Sequence, residues 1–315
     1  MAPIQIPPRS RGDDASIVIG GVCIALAILF TALRFYTRVF TKAGLGSDDW
    51  FIFTAVIINT IGSCLILYGN IINPNGPQVS ENTDPDYVYT PEDLLFLRLV
   101  MATCVLYFTV GGATRLGILL MYHRIFSVST TFWYQVFVAS AFNVAWWIGC
   151  TINSLVHFDQ YNGNVFDYRT GNLSWMVSGA CEVFLDALIL TLPISIVMWM
   201  HLSFRQKLTV VGIFLLGGFT IITGIIKVVV GYNRSGGPPT YANTVVWASI
   251  HASMIIICAS LPIFRPLVRR IAGSSIIIKL MSCLITDRKA ESCHSLSPLD
   301  PKGENQVGYG NGENI

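Results

Sequence analysis

Residues 50–72 read WFIFTAVIINTIGSCLILYGNII and carry no charged side chain. The run is about as long as a helix must be to cross a bilayer, ~20 residues at ~1.5 Å each. It does not alternate apolar with polar residues, as the ~10-residue strands of a membrane barrel do. Reading outward, runs of the same character cover 15–33 on one side and 94–121, 132–156, 173–200, 208–230 and 241–264 on the other. Backbone groups in lipid are satisfied only within helices or closed barrels. The expected fold is therefore all-α: a polytopic membrane protein with a bundle of seven transmembrane helices and its two ends on opposite sides.

Composition points the same way, with 53% hydrophobic and only 12% charged residues, where a soluble domain carries roughly 25% charged. Cytoplasmic loops collect Lys and Arg. The sides joined by even connections hold four such residues (Arg9, Arg11, Arg169 and Arg234), and the opposite side holds thirteen, seven of them in the tail after residue 264. This places the N-terminus outside and the C-terminus in the cytosol. Two sequons, Asn172-Leu173-Ser174 and Asn233-Arg234-Ser235, fall on the outer side as glycosylation candidates. The first fifteen residues are polar and Pro-rich, so no cleavable leader is expected and the first helix would itself direct insertion. Eight Cys occur, six of them in apolar runs, where they read as small membrane-buried residues.

Four segments follow from this. Residues 1–15 form a short polar arm and 16–264 the membrane domain. Residues 265–286 mix apolar side chains with Arg265, Arg269, Arg270 and Lys279, as an interfacial amphipathic segment does. Residues 287–315 lack apolar periodicity and are expected to be a disordered cytosolic tail. The connection 73–91 contains four Pro and the acidic Glu81, Asp84 and Asp86, and is placed to cover the outer mouth of the bundle.

Ionisable side chains in lipid cost roughly 2.5 kcal/mol or more at the bilayer centre. Six lie within the runs: Arg98, Arg115, Glu182, Asp186, Lys227 and His251. Glu182 and Asp186 are four apart, hence on one helical face, ~12 and ~18 Å from the outer end. Without cations to neutralise them, one of the two has to be protonated, giving an acid beside an anion. Arg98, Lys227 and His251 are placed to meet them in the outer half, whereas Arg115 reads as deeper, near helix carbonyls or Asp48 and Asp49. Trp146, Trp147, Trp175, Phe184 and Trp247 crowd the same region. Two readings stand: a ligand site lined by charges and rings, or paired charges and packed aromatics that only hold the helices together.

Several chemistries are disfavoured. There is no Gly-rich phosphate loop, no Cys or His set at metal spacing and no Ser in a nucleophile elbow. No metal or cofactor is expected. The last run has no Lys to form a retinal Schiff base, and a formal net charge of +2 gives no case for nucleic acid.

Certain residues occur in a telling order: Gly46-Ser47-Asp48-Asp49-Trp50 before the second run, the stretch from Arg115 to Phe126 closing the third, and Asp186 with Leu192-Pro193 in the fifth. Lys207-Leu208 through Phe214-Leu215-Leu216-Gly217, then Trp247, Leu261-Pro262 and Arg265-Pro266, complete the set. The chain thereby resembles the fungal rhodopsin-domain family over nearly all of residues 16–270. These are seven-helix proteins of the satratoxin-cluster type, related to receptor-like pathogenicity proteins. Asp48 and Asp49 suit the start of the second helix, where they cap free amide groups and favour the positive end of its dipole, a structural role. The resemblance implies structural roles for Trp50, Arg115, Pro193 and Pro262 as well. The departures are Arg115 where the family has Lys, His251 where it has Glu, and the lack of a Cys in 157–172 to pair with Cys150.

The resemblance implies a membrane protein of a fungal secondary-metabolite pathway. On this reading Arg98, Glu182, Asp186, Lys227, Trp247 and His251 bind a small apolar molecule in the outer half of the bundle. The alternatives are a receptor-like sensor of outside cues and an acid-catalysed intramembrane cyclase or isomerase using Glu182, Asp186 or His251. Expected partners are membrane lipids and the small molecule, with pathway enzymes or a cytosolic signalling protein as further candidates. The host membrane, plasma membrane or endomembrane, is left open.

Overall fold

The computed structural model describes residues 11–42, 44–80, 87–125, 130–156, 168–199, 204–232 and 241–264. The proposed interfacial segment, the tail and Asn233 lie outside the described residues. Eight α-helices occur among the described residues: α1 (Arg11–Phe40), α2 (Ser47–Ile72), α3 (Gly76–Ser80), α4 (Pro91–Ile125), α5 (Thr130–Val156), α6 (Tyr168–Trp199), α7 (Phe204–Gly231) and α8 (Tyr241–Ser260). Six of them contain a segment long and apolar enough to cross a membrane, and α7 contributes a shorter apolar stretch, Leu215–Gly231.

The ends of these helices follow from local chemistry. At the start of α4, Thr90 and Asp93 cap each other: Thr90 N–H donates to Asp93 Oδ2 at 2.9 Å and Asp93 N–H to Thr90 Oγ1 at 3.2 Å. Pro91 takes the first helical position, where its missing N–H has no consequence. Asn73, at the end of α2, donates from Nδ2 to Asp93 Oδ1 at 2.6 Å and so ties the two helices at that end. Pro262 lies in the 3-10 turn Leu261–Phe264 that ends α8. Pro193 is inside α6, which continues past it to Trp199.

Each long helix packs on its neighbour in the chain, with α2 against α4 across the short α3, and α1 closes the ring on α8. Helix α4 also touches α6 and α8, and α8 touches α2 as well, so these two helices form the centre of the packing. Small residues mark the closest crossings: Ala27, Ala55, Ala113, Ala252 and Ala259 pack together with Ile52, Val56, Val110 and Ile256. A Cβ on Gly117 would lie 3.0 Å from Ile52 Cγ1 and 3.3 Å from the Asp48 carbonyl, so α2 and α4 approach with no room for a side chain there. Outward faces carry large apolar residues such as Val22, Leu29, Phe53, Phe137, Ile152, Leu215 and Val229.

Two expectations change. The first helix does not stop at residue 33: it runs on to Phe40, because Arg34 and Arg38 are buried in ion pairs and are not loop cations. The connection 73–91 is not wholly helix-broken, since Pro77 lies in the first turn of the short α3, where proline is tolerated.

Candidate functional site

Four helices deliver one buried ionic cluster. Glu182 of α6 is 1% exposed and is held on both oxygens. Lys227 Nζ of α7 donates to its Oε2. Tyr107 Oη and Arg115 Nη2, both from α4, donate to its Oε1 at 2.9 and 3.1 Å. One turn along α6, Asp186 takes the guanidinium side-on, Arg115 Nε to Oδ1 at 2.8 Å and Nη2 to Oδ2 at 3.2 Å. Lys227 also donates to Tyr107 Oη at 3.0 Å. His251 of α8 closes the cluster, its Nε2 lying 3.5 Å from both Glu182 Oε1 and Asp186 Oδ2.

Aromatic faces surround these charges. The Arg115 guanidinium lies 4.8 Å over the Trp146 ring, and Lys227 Nζ is 4.7 Å from the Tyr107 ring and 5.3 Å from that of Trp175. Gly111 and Gly112 on α4 make room for this arrangement. A Cβ on the first would be 2.9 Å from Arg115 Nη1, and one on the second 2.6 Å from the Trp147 ring. Trp146 itself is fixed by Nε1–H donating to the Ser178 carbonyl at 3.0 Å.

The sequence-derived candidates divide accordingly. Glu182, Asp186, Lys227 and His251 do meet. Arg115 meets them too, against the expectation that it reaches Asp48 and Asp49: it is the main partner of Asp186. The picture of one protonated carboxylate also changes, because Arg115 and Lys227 supply two cations for the two carboxylates. Arg98 is exposed and lies nine residues, ~14 Å, along α4 from Tyr107, outside the cluster. Trp247 is half-buried one turn from His251, and Phe184 faces outward, 58% exposed. Tyr107 was missed, since a tyrosine in an apolar run looks like packing.

A second buried cluster lies at the other end. Asp48 and Asp49 do more than cap α2, although Asp49 Oδ2 does accept from Gly46 N–H at 2.9 Å. Arg34 donates to Asp48 Oδ2 at 2.6 Å, to Asp49 Oδ1 at 2.7 Å and to the Ala259 carbonyl at 2.7 Å. Arg38 reaches the same two carboxylates at 2.6 and 3.2 Å, and Arg124 approaches Asp48 at 3.6 Å. One arginine thus joins α1, α2 and α8. Trp50 beside them is 57% exposed. Asn172 is inside α6 and only 5% exposed. Among the described residues Cys23, Cys64, Cys104, Cys150, Cys181 and Cys258 carry free thiols, and no group of His, Cys, Asp or Glu is arranged to hold a metal ion.

A polar core joining several helices inside an apolar bundle defines a multi-pass membrane protein with a charged interior. The fungal rhodopsin domain matches residues 33–270, and the chain belongs to that family. It is 26% identical to the polyenoic acids biosynthesis gene cluster protein Ba17b of Metarhizium anisopliae, over 84% of this chain and 76% of that protein. It is 23% identical to Receptor GIN3 of Arthrobotrys oligospora, over 84% of this chain and 64% of the receptor. A satratoxin biosynthesis cluster protein of Stachybotrys chartarum is 26% identical over 51% of this chain and 62% of its own length. No solved structure matches.

Proposed function

We propose that this chain is a non-catalytic membrane protein of a fungal secondary-metabolite pathway, with seven spans, its N-terminus outside and its C-terminus cytosolic, which binds or handles a small apolar compound within the bundle. One observation carries the reading: a fully buried set of charges on α4, α6, α7 and α8, edged by Tyr107, Trp146 and Trp175. Buried charge of this kind is costly in lipid and is retained chiefly where a bundle does something besides pack. Similarity to proteins of metabolite clusters supports the pathway assignment. The rings offer an apolar compound a surface, and the cluster offers its polar end an anchor.

Mass spectrometry of what co-purifies with the protein from its own fungus tests this. A metabolite retained by the wild-type chain and lost from both Asp186→Asn and His251→Gln supports the reading. Identical extracts from all three chains would end it. A second reading, a receptor-like sensor, is favoured by the similarity to Receptor GIN3. It requires that a response to an outside cue depend on the cytosolic residues Arg205 and Lys207. For the acid-catalysed reading, Glu182 and Asp186 are each matched by a cation, which leaves His251 as the remaining candidate acid.

A further inference from the structure

His251 has one place where a proton can come and go. Its Nδ1 faces two groups of α7, the Thr220 carbonyl oxygen and Thr223 Oγ1, each at 3.2 Å. Thr223 gives its own hydroxyl proton to that same carbonyl at 2.8 Å. Both neighbours are therefore acceptors, and Nδ1 carries a hydrogen. On the other side of the ring, Nε2 lies 3.5 Å from a carboxylate oxygen of Glu182 and 3.5 Å from one of Asp186. It makes no hydrogen bond, although the residue is 0% exposed.

Each state of Nε2 carries a cost. When it is bare, its lone pair confronts two anionic oxygens and has no donor. When it is protonated it answers both oxygens, but it adds a third positive charge where Arg115 and Lys227 already balance the two carboxylates. Neither form is fully satisfied by its surroundings, and imidazole is the side chain that can exchange such a proton. The groups around it are set: α4 sends Tyr107 and Arg115 to the Glu182 oxygen that faces His251, and α7 sends Lys227 to the other. From α1 and α2 come Arg34, Arg38, Asp48 and Asp49, which gather near Ala259, eight residues or ~12 Å along α8.

We infer that Glu182, Asp186 and His251 form an intramembrane binding site for one exchangeable proton, carried on His251 Nε2, whose presence fastens α8 to α6. With the proton in place, the ring bridges α7, through its Nδ1 contacts, to both carboxylates of α6. Without it, the α6 side of the ring is repelled and only the α7 contacts remain. The inference stands whether or not a metabolite binds.

Nitrogen NMR of the full chain in lipid nanodiscs tests it. The chain has five histidines. Replacing His123, His157, His201 and His294 with Gln leaves His251 as the sole labelled ring and keeps the cluster intact. On acidification, the ring is expected to pass from a neutral form protonated on Nδ1 to the doubly protonated form. In the same background Asp186→Asn should move the midpoint to lower pH, about tenfold or more in proton concentration. Glu182→Gln, the second variant should the first fail to fold, should move it the same way. A neutral ring with its proton on Nε2, a ring that keeps one form throughout, or a midpoint indifferent to loss of either carboxylate would overturn the proposal.

Discussion

Arg115 is the residue on which the inner cluster turns. It is 0% exposed and serves Glu182 and Asp186 together. Replacing it with Met leaves Glu182 with Lys227 and takes the ion-pair partner away from Asp186. Removing one member of a buried ion pair costs about 3–5 kcal/mol, so Arg115→Met should lower the thermal midpoint of the detergent-solubilised protein sharply. Tyr107→Phe removes a hydroxyl that donates to Glu182 and accepts from Lys227, a loss of about 1.5–3 kcal/mol, and should lower it less. A paired test refines this: Lys227→Met combined with Glu182→Gln should be milder than Lys227→Met alone, since no charge is left without its partner. Unfolding monitored by size-exclusion fluorescence ranks the four variants, and equal losses for Arg115→Met and Tyr107→Phe would refute the argument.

Which residues would cluster was only partly legible from the chain. Glu182, Asp186, Lys227 and His251 stand out in apolar surroundings because ionisable groups there need a reason. Arg115 was misplaced because depth was counted from the first apolar residue of each run. That count ignores the reach of a long side chain: from α4 the guanidinium meets both Glu182 and Asp186. The signal for the second cluster was present but used otherwise: Arg34 and Arg38 are one turn apart on one face, and Asp48 and Asp49 follow shortly after. Counting arginines as loop charges and aspartates as helix caps separated partners that the fold joins.

Among the elements, α1 is tied to two others by Arg34, which contacts α2 by two carboxylates and α8 by a backbone carbonyl. Arg34→Ala should therefore be strongly destabilising in the same thermal assay. Arg124→Ala should fall within about 0.5 kcal/mol of wild type, because its side chain is 41% exposed and 3.6 Å from Asp48. Helix α4 owes its position to absent side chains. Gly112→Val forces a branched side chain into the Trp147 ring, and overpacking of this kind costs about 1–3 kcal/mol. Such elements were the most legible part of the fold, since unbroken apolar length is what a spanning helix requires. Their ends were less so, because Arg34 and Arg38 prolong α1 by pairing.

For the molecule as a whole, topology is the decisive measurement. Fluorescent or protease-sensitive tags at the two termini should report opposite compartments, the C-terminal one cytosolic. Asn172→Gln should leave the electrophoretic mobility of the protein unchanged before and after endoglycosidase, because that asparagine is buried in α6. A mobility shift caused by this variant would mean that the start of α6 is more open than its packing allows.

The order in which the charges are made has a consequence for biogenesis. Ribosomes deliver the helices from α1 onward, so the arginines of both clusters emerge before their counter-ions: Arg34 and Arg38 precede Asp48 and Asp49, and Arg115 precedes Glu182 and Asp186. A lone arginine at mid-membrane costs roughly 2.5–3.5 kcal/mol on translocon scales. That cost is offset only when α6 is synthesised, and Lys227 completes the balance when α7 arrives.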